Sequence, residues 1–313
     1  MKKLLSIIIL VCLCFFSSAC SDVTTSSAPQ KQTTTITDVF GTTEELSTDS
    51  RIAVCYGSFA ECLQLSGKEP VAVTNDAVEE HKLTFSNDVI LLGKNKEINL
   101  ENLIASDPDY VILSADLSAQ INLKPSLEQA SIKHGFFRVD TVGDYKDFMS
   151  MLCKLTGRDD LYQKNVLETE ERIKTILKKI PENTEKTALL MRVFSTGIKA
   201  KTDDNLAGQI LKEFGLTNIA DNHPSLLEDL SLEQIVTDNP DYIFATTMGS
   251  EKNALEYLNQ NAISNPAWQE LSAVKNNRYV LLPKDLFHYK PNNRWDKAYE
   301  YMAKIIFPEI FYE

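Results

Sequence analysis

The sequence predicts an α/β protein of two lobes, each with a central, mostly parallel sheet flanked by helices, the lobes joined by a helical connector. Three observations predict it. Two stretches of the chain repeat each other, strand-like runs alternate with helix-like ones, and the part able to fold is too long for one core.

The repeat says most. Residues 98–113 read Ile-Asn-Leu-Glu-Asn-Leu-Ile-Ala-Ser-Asp-Pro-Asp-Tyr-Val-Ile-Leu, and residues 230–245 read Leu-Ser-Leu-Glu-Gln-Ile-Val-Thr-Asp-Asn-Pro-Asp-Tyr-Ile-Phe-Ala. In each, a polar cap (Asn99, Ser231) opens a short helix with apolar residues at helical spacing: Leu100, Leu103 and Ile104, then Leu232, Ile235 and Val236. Pro-Asp ends the helix, and a β-branched and aromatic run begins a buried strand. Two copies imply two lobes of similar build.

The alternation fills in the rest. In the first lobe, residues 52–55 read as a strand, 58–65 as a helix ended by Gly67, and 71–74 and 135–139 as further strands. In the second, 187–194 is a strand, 206–214 a helix stopped by Gly215, and 278–282 a late strand. Short connections between such elements favour parallel sheets.

Length and the N-terminus set the limits. Lys2 and Lys3, an apolar run over residues 4–16, and Ser17, Ser18 and Ala19 before Cys20 read as an export signal over residues 1–19. The apolar run is shorter than the roughly 20 residues of a permanent span. A small residue before a cysteine at that point resembles a bacterial lipobox, which would make Cys20 the lipidated first residue; several acyl chains would hold a protein to a membrane stably. Residues 20–35, rich in Ser, Thr and Gln, read as a disordered tether. The remaining residues, about 270, exceed what one core organises. They divide into an N-terminal lobe at 36–142, a helical connector at 143–181 and a C-terminal lobe at 182–313.

The net charge of -12 excludes nucleic acid or an anionic lipid surface as partners of a basic patch. Of six cysteines, Cys55, Cys62 and Cys153 remain in the folded part. They have no metal-ligand spacing and read as buried thiols, with a Cys55–Cys62 disulfide as the alternative. In the connector, the helix breaks near Gly157 and resumes at Asp159, after which Tyr162, Val166, Thr169, Ile173, Ile176 and Ile180 keep one face largely apolar. That is about 21 residues, or roughly 32 Å. Pattern alone fits a rigid connector and an ordinary packed helix equally.

Here the chain resembles a known family, the helical-backbone (class III) solute-binding lipoproteins of ABC importers for iron siderophores, haem and vitamin B12. The resemblance covers nearly all of the chain beyond the signal. It is carried by residues 36–41 and 51–61 at the start, Glu101 with 108–112, 155–162, 207–211, 218–220, Glu233 in the second repeat, and 265–275. It implies two α/β lobes on one long helix, a small lobe closure, and a monomer that captures an iron complex, a siderophore in the first instance, and delivers it to a permease and ATPase complex. Vitamin B12 or haem in the same role is the alternative. It also implies that Glu101 and Glu233, one on each lobe, dock against arginines of the permease; without it, both read as solvated helix glutamates.

In such a fold the ligand meets loops at the C-terminal ends of strands. That rule picks Tyr56 and Ser58 after the first strand, and Arg192, Lys199 and Lys201 in the second lobe. It adds Met248 after the repeat strand and His288, Tyr289, Lys290 and Arg294 after the last. The aromatic and basic stretch 286–295 suits a planar or anionic ligand. His223 and His288 are candidate ligands to haem iron or a metal, but four scattered histidines form no site for a bare ion. No protein cofactor is expected. No common catalytic motif is present, so an enzyme is not expected either, and a surface adhesin is the remaining class.

Overall fold

The computed structural model describes residues 33–182, 184–228 and 231–311. The export signal, Cys20 and most of the tether lie outside the described residues. The tether's end is corrected: Thr33–Thr37 is strand β1, antiparallel to β2 (Thr43–Ser47). Threonines hide it in the sequence, but ladder hydrogen bonds and the burial of Ile36 and Leu46 hold it in place. The Asp38 carboxylate closes the turn, accepting from the N–H of Phe40 at 2.9 Å and of Thr42 at 2.8 Å.

In the N-terminal lobe, β3 (Ile52–Val54), β4 (Ala72–Val73), β5 (Ile90–Leu91), β8 (Tyr110–Ser114) and β9 (His134–Phe137) form one parallel sheet in the order β5-β4-β3-β8-β9. β6 (Gly93–Lys94) and β7 (Glu97–Ile98) make a small hairpin beside it. In the C-terminal lobe, β10 (Thr187–Phe194), β13 (Tyr242–Thr247) and β14 (Tyr279–Leu281) run parallel, with β11 (Gly197–Ala200) antiparallel to β10 and β12 (Thr217–Asn218) on the start of β10. Every residue of β8 and of β13 is buried, as the near-continuous apolar runs require of central strands covered on both faces. The strand order reverses between β3 and β8, and a crevice opens where the chain leaves those strands in opposite directions.

Helix α1 (Gly57–Leu65) follows β3, and α2 (Asp76–Glu79) follows β4. The two approach so closely that a Cβ on Gly57 would sit 2.8 Å from the Ala77 nitrogen. The repeated helices are α3 (Leu100–Ala105) and its counterpart Leu232–Asp238, capped by the Asn99 and Ser231 side chains at 3.0 and 3.3 Å. Each gives way to a left-handed residue before the proline, Asp107 at φ 47° and Asn239 at φ 43°. One detail departs from the periodicity: Leu103 and Ile235 are buried, while Ile104 and Val236 are 46% and 38% exposed. A short helix laid on a sheet has room for one buried stripe only.

Between the lobes, the helix Val142–Thr156 starts with a Thr141–Asp144 capping box and ends at left-handed Gly157. A second run is α-helical over Asp159–Tyr162, π-helical over Gln163–Leu167 and α-helical over Glu168–Leu177. The π turn centres on buried Asn165, whose amide donates to the Leu65 carbonyl at 3.0 Å and whose own carbonyl accepts from Tyr145 and Thr169 at 3.1 and 3.0 Å. Farther along, Arg172 donates to the buried Asp296 carboxylate at 2.7 Å, tying this helix to the terminal helix Trp295–Ile306. One apolar core runs through both lobes and the connector, taking in Ile52, Phe148, Ile173, Leu190 and Trp295.

The chain after β14 crosses back to pack against the N-terminal lobe. Asn292, fully buried at φ 50°, donates from its amide to the Ser58 carbonyl at 3.1 Å and to the Glu61 carboxylate at 2.7 Å. His81 closes on the same Glu61 oxygen at 2.8 Å, and Lys290 pairs with Asp140. Cys55, Cys62 and Cys153 are free, buried thiols, so Cys55 and Cys62 are not joined.

Replacing Asn292 by Ala would leave Glu61 short of a buried donor and put a Cβ-bearing residue without side-chain compensation at positive φ. The expected loss is about 1–3 kcal/mol, read as a lower denaturant midpoint at unchanged slope.

Candidate functional site

A cavity of about 420 Å³ lies between the lobes. From the N-terminal lobe Tyr56, Glu80, Asn95, Lys96 and Leu117 line it; from the C-terminal lobe come Phe194, Met248 and Ser250, with His288 and Tyr289 on the crossing segment. A smaller recess joins at His288 and is lined by Asp140, Arg192 and Lys290. A larger hollow of about 470 Å³ lies against the helix Val142–Thr156, but it is lined by the N-terminal hairpin and lobe alone. The first, with the recess that joins it, is walled by both lobes at strand ends, where two half-sites can meet on one ligand.

The walls are held from behind. Asp76 accepts from the Gly57 N–H at 2.8 Å and from the Asn95 amide at 3.0 Å, fixing the start of α1 and the β6–β7 turn together. Gln120 donates to the carbonyls of Cys55 at 2.6 Å and Asn95 at 2.9 Å. Tyr56 stacks edge-on against Phe59 with centroids 5.1 Å apart. Across the cleft, Lys284 donates to the Gly249 carbonyl at 2.7 Å and sits over the Tyr289 ring.

The two walls differ in charge. Burial, then the carboxylates of Asp76, Asp116, Glu80 and Asp140, hold the Tyr56 hydroxyl well above its usual range. Burial and Asp76 likewise raise the Glu80 carboxyl. On the other side, burial and then the cations of Lys284, Arg192, Lys290 and Lys96 push His288 down to about 4. His288 is therefore a neutral imidazole at ordinary pH. Lys290 is already paired with Asp140, whereas half-buried Arg192 has no ion pair or side-chain hydrogen bond among the described residues.

Of the residues the sequence marked, Tyr56, Met248, His288 and Tyr289 line the cavity, and Arg192 and Lys290 line its recess. The rest are placed elsewhere. Ser58 is fully buried and its hydroxyl donates to Asn292 at 3.2 Å, because the first turn of α1 directs it at the crossing segment. Lys199 stands opposite Arg192 in the β10–β11 ladder and is exposed on an edge strand. Lys201 is drawn to Asp204, and Arg294 turns out to Asp285 at 3.4 Å from the 3-10 turn Asn292–Arg294. His223 rests 3.0 Å from Asp238 at the end of the second repeat helix, away from the cavity lining. No group of three His, Cys, Asp or Glu side chains suited to a metal ion occurs among the described residues.

Sequence reasoning missed Glu80, Asn95, Lys96, Leu117, Phe194 and Asp140. Applying the strand-end rule to β8 as well would have found Leu117. Glu80 follows a four-residue helix packed on α1, and Lys96 sits in the turn of the β6–β7 hairpin, which Asp76 and Gln120 hold through the neighbouring Asn95, so distant contacts bring both to the cleft.

Two lobes of this topology on a helical connector, with a cavity between them at strand ends, have the architecture of a solute-binding protein. The chain belongs to the periplasmic binding protein family, which it matches over residues 52–286. The Fe(3+)-citrate-binding protein YfmC of Bacillus subtilis is 24% identical over 99% of this chain and 98% of its own length. Among solved structures, the triscatecholate siderophore binding protein FeuA of Bacillus subtilis superposes with a TM-score of 0.68 at 19% identity, covering 89% of this chain and 99% of that one. The S. aureus IsdE complex with heme gives 0.67 at 19% identity, over 83% and 99%. The protein is a binding component of the ABC-importer type and not an enzyme.

The neutral state of His288 has a consequence for stability. Folding lowers its pKa from 6.5 to about 4, so on acidification the unfolded chain takes up this proton first and stability falls between those two values. His288→Gln should flatten the slope of stability against pH in that window, measured by denaturant midpoints. An unchanged slope would place the titration on another group.

Proposed function

We propose that this protein is exported, held to the outer face of the cell membrane by lipidated Cys20, and captures an anionic ferric chelate between its lobes for delivery to an ABC permease and ATPase complex. The observation that carries the ligand class is Arg192: a half-buried guanidinium with no ion pair or side-chain hydrogen bond among the described residues, in the recess that meets the cavity at His288, where Lys284, Lys290 and Lys96 also act on the neutral imidazole. A partly buried guanidinium whose hydrogen-bond donors are not taken up by a side chain can turn them to an anionic ligand. The carboxylates of ferric citrate or of a carboxylate siderophore suit a planar, bidentate donor. The full-length likeness to a protein named for ferric citrate binding supports the same reading.

Export and anchoring rest on the N-terminal pattern and on relatives named as lipoproteins, such as YfiY of Bacillus subtilis. Haem is the second reading, favoured by His288 and Met248 lining one cavity as a pair of soft axial donors. Docking to the permease falls to Glu101 and Glu233, exposed glutamates at matching places on the two lobes.

Calorimetric titration with ferric citrate, a ferric catecholate siderophore and haem separates the ligands. Trp268 and Trp295 are both buried and away from the cavity, so their fluorescence is a poor reporter. Saturable binding of ferric citrate that weakens with added salt is expected; binding of haem alone, with a shifted Soret band, would replace this reading by the second. Arg192→Gln should weaken binding of the ferric chelate by about tenfold to a hundredfold. The double variant Glu101→Ala, Glu233→Ala should keep the ligand affinity and abolish uptake; an equal fall in binding would remove these residues from the docking role.

A further inference from the structure

The same repeated unit carries a feature that carboxylate docking does not use. Ile104 follows Glu101 by three residues and Val236 follows Glu233 by three, so on each helix an exposed aliphatic side chain neighbours an exposed glutamate. Neither aliphatic residue is overflow from the core, since Leu103 and Ile235 already fill the face against the sheet. Exposed large hydrophobics are few among the described residues, and two of them occupy the same position of the repeat. On the N-terminal lobe the patch is wider: Leu91, 48% exposed, lies beside α3, where the Asn102 amide donates to its carbonyl at 3.1 Å.

The glutamates are open to a partner. Glu170 is held by Lys146 at 2.8 Å and Glu300 by Lys304 at 2.8 Å. Glu101 and Glu233 have no ion pair or side-chain hydrogen bond among the described residues. An unpaired carboxylate beside a bare aliphatic group is matched by a surface that offers a cation next to an apolar side chain. Burying the aliphatic group against that surface excludes water from the ion pair, which strengthens the pair.

We propose that the permease-facing element on each lobe is a carboxylate–aliphatic couple, Glu101 with Ile104 and Glu233 with Val236, and that the aliphatic members carry a substantial share of the attachment. The partner is the importer's membrane permease, presenting at two points a basic side chain flanked by an apolar one. This rests on the docking role given above to the two glutamates. The duplicated cap, helix and left-handed exit hold both couples in the same orientation to their own sheets, so the two contacts are alike in kind and differ in the added Leu91.

The test uses the full-length protein and the permease–ATPase complex in lipid nanodiscs, with binding followed by interferometry in the absence and presence of ferric citrate. Ile104→Ser and Val236→Ser should each weaken docking by about tenfold, and the double variant more. Ile104→Val and Val236→Ile should dock nearly as the parent does. Ligand affinity and thermal midpoint should stay as in the parent, which separates lost docking from lost folding. Val39→Ser, at a residue 48% exposed on the N-terminal hairpin, serves as the matched control. If the serine variants dock like the parent while Glu101→Ala, Glu233→Ala does not, the aliphatic contribution is overturned and the glutamate reading stands. If neither set alters docking, the face itself is wrong. An equal loss from Val39→Ser would also overturn the proposal.

Discussion

Everything that positions the cleft depends on the apolar core that the two lobes share through the connecting helix. Because Phe148, Ile173, Leu190 and Trp295 belong to one packed cluster, turning one lobe far from the other would open apolar surface to water. Close-packed interiors yield in small steps, and a wide hinge between lobes built on such a core would have to break that packing. The polar groups set into it, Asn165 in the π turn and the Arg172–Asp296 pair, add direction to a contact that hydrophobic burial alone would leave free to slide.

The crossing segment extends the same constraint to the ligand site. His288 and Tyr289 follow the last strand of the C-terminal lobe, yet Lys290 and Asn292, just beyond them, are fastened to Asp140, Ser58 and Glu61 of the other lobe. This part of the cavity wall is thus held from both lobes. Its charge follows from this geometry: crossing back brings Lys290 and the imidazole beside Arg192, while Tyr56 faces the acidic groups of its own lobe. The carboxylates of Asp76, Glu80 and Asp116 gather on the Tyr56 side and the cations of Arg192, Lys284 and Lys290 on the His288 side, with Lys96 reaching the imidazole from the N-terminal wall.

Much of this architecture was legible. The repeat at 98–113 and 230–245 disclosed two lobes because the same caps, helices and strands must bury the same faces, and strand 187–194 was read at its full length. The π turn was not, since Asn165 looks like one polar residue interrupting an apolar stripe until the Leu65 carbonyl stands opposite it. Strand β1 was not, since threonines in a Ser- and Thr-rich stretch carry no apolar signal of their own. Of the residues that strand-end topology selected, Tyr56, Met248, His288 and Tyr289 line the cavity between the lobes, while Ser58, Lys201 and Arg294 turn to buried or acidic neighbours that no local pattern discloses.

The sequence by itself determined the class, the two lobes, the caps and most strands, because those follow from periodicity and turn chemistry within a dozen residues. Tertiary structure alone decided which side of each strand end faces the cleft, that Arg192 stands unpaired while Lys290 does not, and that Ile104 and Val236 face solvent. Those outcomes depend on which distant groups arrive first at a given charge or surface: Asp140 lies 150 residues from Lys290, and Asn292 lies 234 from Ser58. Local patterns fix what a segment can become; competition among segments for the same burial and the same partners fixes what each side chain does.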